Sequence, residues 1–403
     1  MSGYSNAQRS KAWSIYLGVS LILVALNLRP VFSSLSILLS PDISNSTGIS
    51  GFQAGLLTTL PVVCLGIFAP LAPWGASKIG AERTMFLALI VLAIGTALRG
   101  FGPLSTLYIG SILAGAAIAL GNVLMPSLVK RDFPHHIPLM TGLFSMALCG
   151  GAAIAVGFTV PLKHILNGSW QLTLAAWAIP VLLAIILWLP QLKSHSGQGA
   201  QGRYQVKGLL RQPIAWQVTL FMGLQSALAY SVFGWLAQII VERGIKPEQA
   251  GIITSVSILI QVVASLIMPL IAGRRSSQSG ICVFLTSIAG IGLVGFILAP
   301  ISTIWIWVVL QGLGQGGLIA VAMVIIALRS HDAPVASHLS GMAQGIGYCI
   351  AAIGPFLVGI IHEASGGFDA TAGLFVALCL GAAFTGYLAG RPKTIPIKAE
   401  RID

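Results

Sequence analysis

Apolar residues run along this chain in long unbroken blocks separated by short polar stretches, rather than recurring on one face of amphipathic elements. A helix needs about twenty apolar residues to cross the hydrocarbon core of a bilayer. The blocks predict spans at 13–39, 52–73, 84–102, 106–128, 137–162 and 170–190. A polar stretch from Gln191 to Gln212 follows, carrying Lys193, Arg203, Lys207 and Arg211. Six more spans are predicted at 213–241, 249–272, 280–299, 302–328, 336–362 and 368–390. The expected fold is an all-α integral membrane protein: a six-helix bundle over 1–190, a linker over 191–212 and a second six-helix bundle over 213–403. The first apolar block is too long for a cleaved signal peptide and contains an arginine.

Charge between the blocks orients the chain. With the N-terminus in the cytoplasm, the cytoplasmic segments hold Arg9, Lys11, Lys78, Arg83, Lys130, Arg131, Lys193, Arg203, Lys207 and Arg211. They also hold Arg274, Arg275, Arg329, Arg391, Lys393, Lys398 and Arg401, while the opposite side holds only Arg99, Lys163, Arg243 and Lys246. Seventeen against four satisfies the positive-inside rule at every loop, and a miscounted helix would have scrambled the alternation. A multi-pass protein of the bacterial inner membrane with both termini cytoplasmic is expected.

Composition excludes several alternatives. Charged residues are 8% of the 403, against roughly a quarter in soluble domains, and hydrophobic residues are 56%. The net charge of +12 is dispersed in short clusters between apolar blocks, so a nucleic-acid-binding face is not expected. Cys64, Cys149, Cys282, Cys349 and Cys379 all lie inside apolar blocks without metal-ligand spacing, and no metal or cofactor is expected. The histidines lie in loops or at helix ends, so nothing gathers acids, bases or ligands at one depth as a membrane enzyme would require.

The two halves resemble each other at an offset of 199 residues. Gly115 matches Gly314, Lys130 matches Arg329 and Gly142 matches Gly341. Around them, Lys130-Arg131-Asp132-Phe133-Pro134 parallels the run from Arg329 to Pro334, and a glycine-rich helix follows in each half. This layout resembles the major facilitator superfamily, in which a solute binds near the midplane between two halves that rock. The loop Gly75-Ala76-Ser77-Lys78-Ile79-Gly80-Ala81-Glu82-Arg83 is similar to that superfamily's signature loop, with Ser77 or Lys78 in place of the usual aspartate. Lys78, Arg83, Lys130, Arg131 and Arg329 are therefore expected to act in structure and gating.

Arg29 is the only lysine or arginine that this topology buries in a span. A guanidinium at that depth costs roughly 2.5–3.5 kcal/mol on insertion scales and marks a functional site by default. It stays charged, and all ten acidic residues fall outside the spans or at their ends. An uncompensated cation in a cavity suits an anionic or electron-rich solute, which a guanidinium grips with two parallel hydrogen bonds. The alternative is a structural role, bonding carbonyls exposed by Pro30. Phe32, Ser33 and Ser36 share a helical face with Arg29, whereas Asn27 is expected to point toward a neighbouring helix. Mid-span polar pairs occur at Ser226 and Tyr230, Gln311 and Gln315, and Gln344 and Tyr348. In the superfamily the first, fourth, seventh and tenth helices line the cavity. The resemblance thus implies Tyr230, Gln311 and Gln315 as contacts, with Gln225 and Asn122 behind them and Tyr348 as a further candidate.

The run Ala25-Leu26-Asn27-Leu28-Arg29-Pro30, followed by Val31-Phe32-Ser33-Ser34-Leu35, resembles the first-helix signature of the cyanate and 2-nitroimidazole transporter family. That resemblance implies a carrier of small anions or nitro-substituted heteroaromatics, secondary active or facilitative, working by alternating access as a monomer. The competing reading is an exporter of neutral or lipophilic drugs. Cationic drug export fits poorly, because no buried carboxylate is present.

Overall fold

The computed structural model describes residues 2–38, 43–48, 51–194, 203–397 and 399–402. Among the described residues, eleven helices are long and apolar enough to cross a membrane, and one bent pair supplies a twelfth crossing. The first six spans are Ser2–Asn27 with Pro30–Leu38, Gly51–Phe68 with Leu71–Ile79, Ala81–Leu98, Leu104–Asp132, Ile137–Ile165, and Trp170–Ala176 with Ala178–Ser194. The second six are Pro213–Glu242, Pro247–Gly273, Ser279–Leu298, Ile304–Arg329, Ala333–Ser365 and Thr371–Ala389.

The hydrophobic pattern locates every crossing, but it does not show that three of them are broken. Pro30 lacks an N–H and its ring crowds the carbonyl four residues back. The first span therefore stops at Asn27 and restarts at Pro30, the first helical position, where a missing donor costs nothing. The carbonyl of Leu26 loses its helical donor. Gly151 of the fifth span packs directly against it, so close that a Cβ there would lie 2.2 Å from the Leu26 oxygen. The second span bends by 49° between Phe68 and Leu71, at Pro70.

One element was not anticipated. Arg203–Gln205 in the linker pairs antiparallel with Glu400–Ile402 in the C-terminal tail. Between them the tail is tied down: the Ile395 N–H donates to the Arg329 carbonyl at 2.8 Å, and the Ile395 side chain is fully buried.

Small residues let the spans approach closely, which is how membrane helices associate without a hydrophobic driving force. The same device joins the two halves. A Cβ on Gly142 of the fifth span would lie 2.9 Å from the Leu266 carbonyl of the eighth. One on Gly341 of the eleventh would lie 3.1 Å from Pro73 of the second. Gly273 against Pro138 and Gly66 against Cys349 add to the seam. These contacts run from mid-depth to the face that carries both termini. The first and seventh spans make no extensive contact with each other. Among the described residues, the halves are thus joined by close helix contacts on the side that carries the termini.

Candidate functional site

Arg29 sits in the break of the first span, as the residue just before the outer helical segment. Its carbonyl accepts from the Phe32 and Ser33 N–H groups at 3.1 and 3.3 Å. The side chain is deep in the bundle yet half-buried, with Tyr230, Tyr348 and Cys149 as its electrostatic neighbours. It lies against the Tyr230 hydroxyl, but neither that hydroxyl nor that of Tyr348 makes a hydrogen bond of good geometry. The two tyrosine rings meet edge-on at 6.0 Å. No carboxylate appears among the described neighbours of Arg29. The start of the outer helical segment adds the positive end of a helix dipole to the same place. The first, fifth, seventh and eleventh spans thereby bring a guanidinium, a thiol and two phenols to one point at mid-depth.

A second set of buried polar side chains lies on the fourth, seventh, tenth and eleventh spans. The Gln344 side chain donates from Nε2 to the Asn122 carbonyl at 3.1 Å, across the two halves. Gln315 donates to the Gln225 carbonyl at 3.4 Å, and Gln225 donates to Ser226 at 2.8 Å. Four buried acceptors, Asn122 Oδ1, Gln225 Oε1, Gln315 Oε1 and Gln344 Oε1, have no partner among the described residues. Buried polar groups are normally satisfied, so these amides are available to a solute or to water.

Several expected positions are placed differently. Asn27 does not reach a neighbouring helix: its Nδ2 donates to Leu23 of its own helix at 2.8 Å. Gln311 accepts a hydrogen bond from Ser257 of the eighth span through Oε1, while its Nε2 has no partner among the described residues. Phe32 and Ser33 are half-buried beside the break, and the Ser36 side chain lies outside the described residues. Arg29 is not the only buried cation. Arg99 is fully buried, with Nη1 donating to the Val31 carbonyl at 2.8 Å, and Arg329 is 4% exposed. By the charge pattern Arg99 belongs to the outer end of the third predicted span. Gly110 clears the space it occupies: a Cβ there would lie 2.7 Å from Arg99 Cγ. Cys149 and Gln261 were also missed as polar groups of this region, because a lone cysteine or glutamine in an apolar block carries no directional signal.

At the termini face, Lys130 reaches from the fourth span to the end of the tenth, donating to the Ala327 and Ser330 carbonyls at 2.8 and 2.6 Å. Arg131 pairs with Glu82 at 2.6 Å and with Asp132 at 2.7 Å. Arg329, the repeat partner of Lys130, stays within its own half. It donates to the Ala389 and Gly390 carbonyls at 2.9 and 3.0 Å and to Gln278. Lys78 and Arg83 remain exposed.

Residues 18–274 match the Major Facilitator Superfamily. The chain belongs to that superfamily. It is 37% identical over 384 residues to the 2-nitroimidazole transporter of Escherichia coli, covering 94% of this chain and 97% of that one. It is 30% identical over 350 residues to the cyanate transport protein CynX of the same organism, covering 86% and 90%. An uncharacterized transporter of Bacillus subtilis, YycB, is 36% identical over 96% of both chains. Among solved structures, the proton:xylose symporter XylE superposes with a TM-score of 0.78 at 13% identity, over 96% of this chain and 98% of that one. This supports the fold alone. The protein is a superfamily transporter that spans the membrane many times and carries a small-molecule solute; it is not an enzyme.

Proposed function

We propose that this protein moves a small anion or an electronegative, nitro-substituted heteroaromatic across the bacterial inner membrane by alternating access. The observation that carries the reading is Arg29: a guanidinium at a helix break, deep between the halves, with phenols for neighbours and no carboxylate. Such a group attracts concentrated negative charge, and its planar fork fits a nitro group, a carboxylate or a linear anion. The relatives named for 2-nitroimidazole and cyanate handle solutes of this electronic character. Tyr230 and Tyr348 flank the solute, the free Asn122 Nδ2 offers it a donor, and the free amide oxygens of Asn122, Gln225, Gln315 and Gln344 can accept from a heteroaromatic N–H.

With the termini face cytoplasmic, as the charge distribution supports, the seam contacts there fit a state closed toward the cytoplasm. The bundles 1–190 and 213–403 then rock about the midplane. Solute binding neutralises Arg29 and lowers the cost of closing the cavity around it.

The test is solute-induced thermal stabilisation of purified protein, wild type beside Arg29→Ala and Arg29→Lys. The panel holds cyanate, 2-nitroimidazole, an aromatic carboxylate and a lipophilic cation. An anion or nitro compound that stabilises only the wild type supports the reading. Equal stabilisation of all three proteins by the cation would make Arg29 structural and overturn it.

A further inference from the structure

Beyond the transport site, we infer that the termini face carries a binding site for an acidic phospholipid headgroup, set between the linker and the start of the eleventh span. A cavity of ≈ 670 Å³ lies there, with Lys207 and Arg211 of the linker and His338 of the eleventh span on its wall. Its apolar lining includes Val206, Leu210 and Met342. The lining contains no carboxylate, so its charge is uncompensated. His338 donates from Nδ1 to the Pro334 carbonyl at 2.9 Å, which leaves Nε2 as an acceptor for a headgroup hydroxyl. Cations beside an apolar floor match an anionic amphiphile, and the volume falls within the range of ordinary ligand pockets.

Position selects a lipid over a soluble anion. Leu210 is 63% exposed and Trp216 is 39% exposed beside the cavity, and the Trp216 indole donates to the Leu210 carbonyl at 2.8 Å. Tryptophan at the end of a span marks the membrane–water interface, so the opening lies at headgroup depth. Basic pockets at that depth draw acidic headgroups. The wall joins the linker to the eleventh span, which also packs on the second span across the seam. A bound headgroup would therefore brace the closed termini face.

The experiment follows the thermal unfolding midpoint of the full-length protein in detergent as phosphatidylglycerol, phosphatidylcholine or inorganic phosphate is added, with bound lipids counted by native mass spectrometry. Phosphatidylglycerol is expected to raise the midpoint saturably, whereas the other two leave it unchanged. The double variant Lys207→Gln, Arg211→Gln should bind roughly thirty-fold more weakly. Leu210→Asp, at an exposed position, should abolish the rise by placing a like charge on the lip. The inference is overturned if phosphatidylglycerol gives no rise, if the double variant responds as wild type does, or if inorganic phosphate alone reproduces the shift. None of these outcomes bears on Arg29, so this site and the transport site fail or stand separately.

Discussion

Replacing Lys130 with methionine should release the termini face. The Lys130 ammonium makes the described side-chain bonds that join the end of the fourth span to the end of the tenth, at 2.8 and 2.6 Å. Both acceptors are carbonyls at the end of a helix, where the dipole is negative and a cation gains about 0.3–1 kcal/mol. A hydrogen bond to a charged group contributes roughly 1.5–3 kcal/mol when shielded. Lys130 is only half-buried, so water compensates part of that loss. We take about 1–3 kcal/mol for the pair together, which corresponds to a shift of roughly 5–150-fold in the equilibrium between closed and open termini faces. Methionine keeps most of the aliphatic stem and its packing, so the change isolates the ammonium.

The assay is double electron–electron resonance between spin labels at Lys78→Cys and Arg275→Cys, in a background with the five native cysteines replaced. Both label sites are exposed at the termini face, one on each half. Wild type should give one dominant short distance. Lys130→Met should add a longer population, and Lys130→Arg should restore most of the short one. A Lys130→Met distribution that superimposes on wild type would refute the latch.

Other perturbations test the same geometry. Gly142→Val forces a Cβ within 2.9 Å of the Leu266 carbonyl, so it should favour the open termini face without altering any charge, read by the same distances. Arg99→Met removes the charged hydrogen bond to the Val31 carbonyl. A thermal-shift assay should show about 1–3 kcal/mol lost, together with weaker solute binding because Val31 lies two residues from Arg29. Asp332→Ala removes the cap on the Val335 N–H, bonded at 2.9 Å, and should cost about 0.5–2 kcal/mol in denaturant or thermal melts. Tyr230→Phe should weaken solute binding by roughly two- to tenfold, measured by titration, while leaving the fold intact.

The crossings and the depth of Arg29 in the bundle were legible in the sequence because each depends on local composition. Partners were not, since they depend on which span lies opposite. Lys130 and Arg329 occupy matching repeat positions, but only Lys130 crosses the seam. The rigid fork of Arg329 instead finds the Ala389 and Gly390 carbonyls at the end of the twelfth span. Arg99 counted with the outer charges because it ends the third predicted span just before Gly102-Pro103; its burial depends on the slot left by Gly110 on the fourth span. Pro30 announced a perturbed helix, and the structure adds that the break falls on Arg29 itself.

On the alternating-access mechanism proposed above, that coincidence would tie solute recognition to the conformational cycle. A ligand shifts an equilibrium only by the difference in its affinity for the two states. The Lys130 latch holds the closed termini face by about 1–3 kcal/mol, so the solute must supply at least that much differential binding to release it. Even millimolar affinity corresponds to about 4 kcal/mol, which is enough if most of it is realised when the cavity closes around Arg29. The arginine sits where the first span is already unwound, so inward movement of the outer segment breaks no further helical hydrogen bond at that point. An empty cavity closing on an unneutralised guanidinium meets a desolvation penalty of several kcal/mol, which disfavours crossing without cargo. The break therefore makes closure inexpensive when the solute is bound, and the unpaired charge makes it costly when it is not.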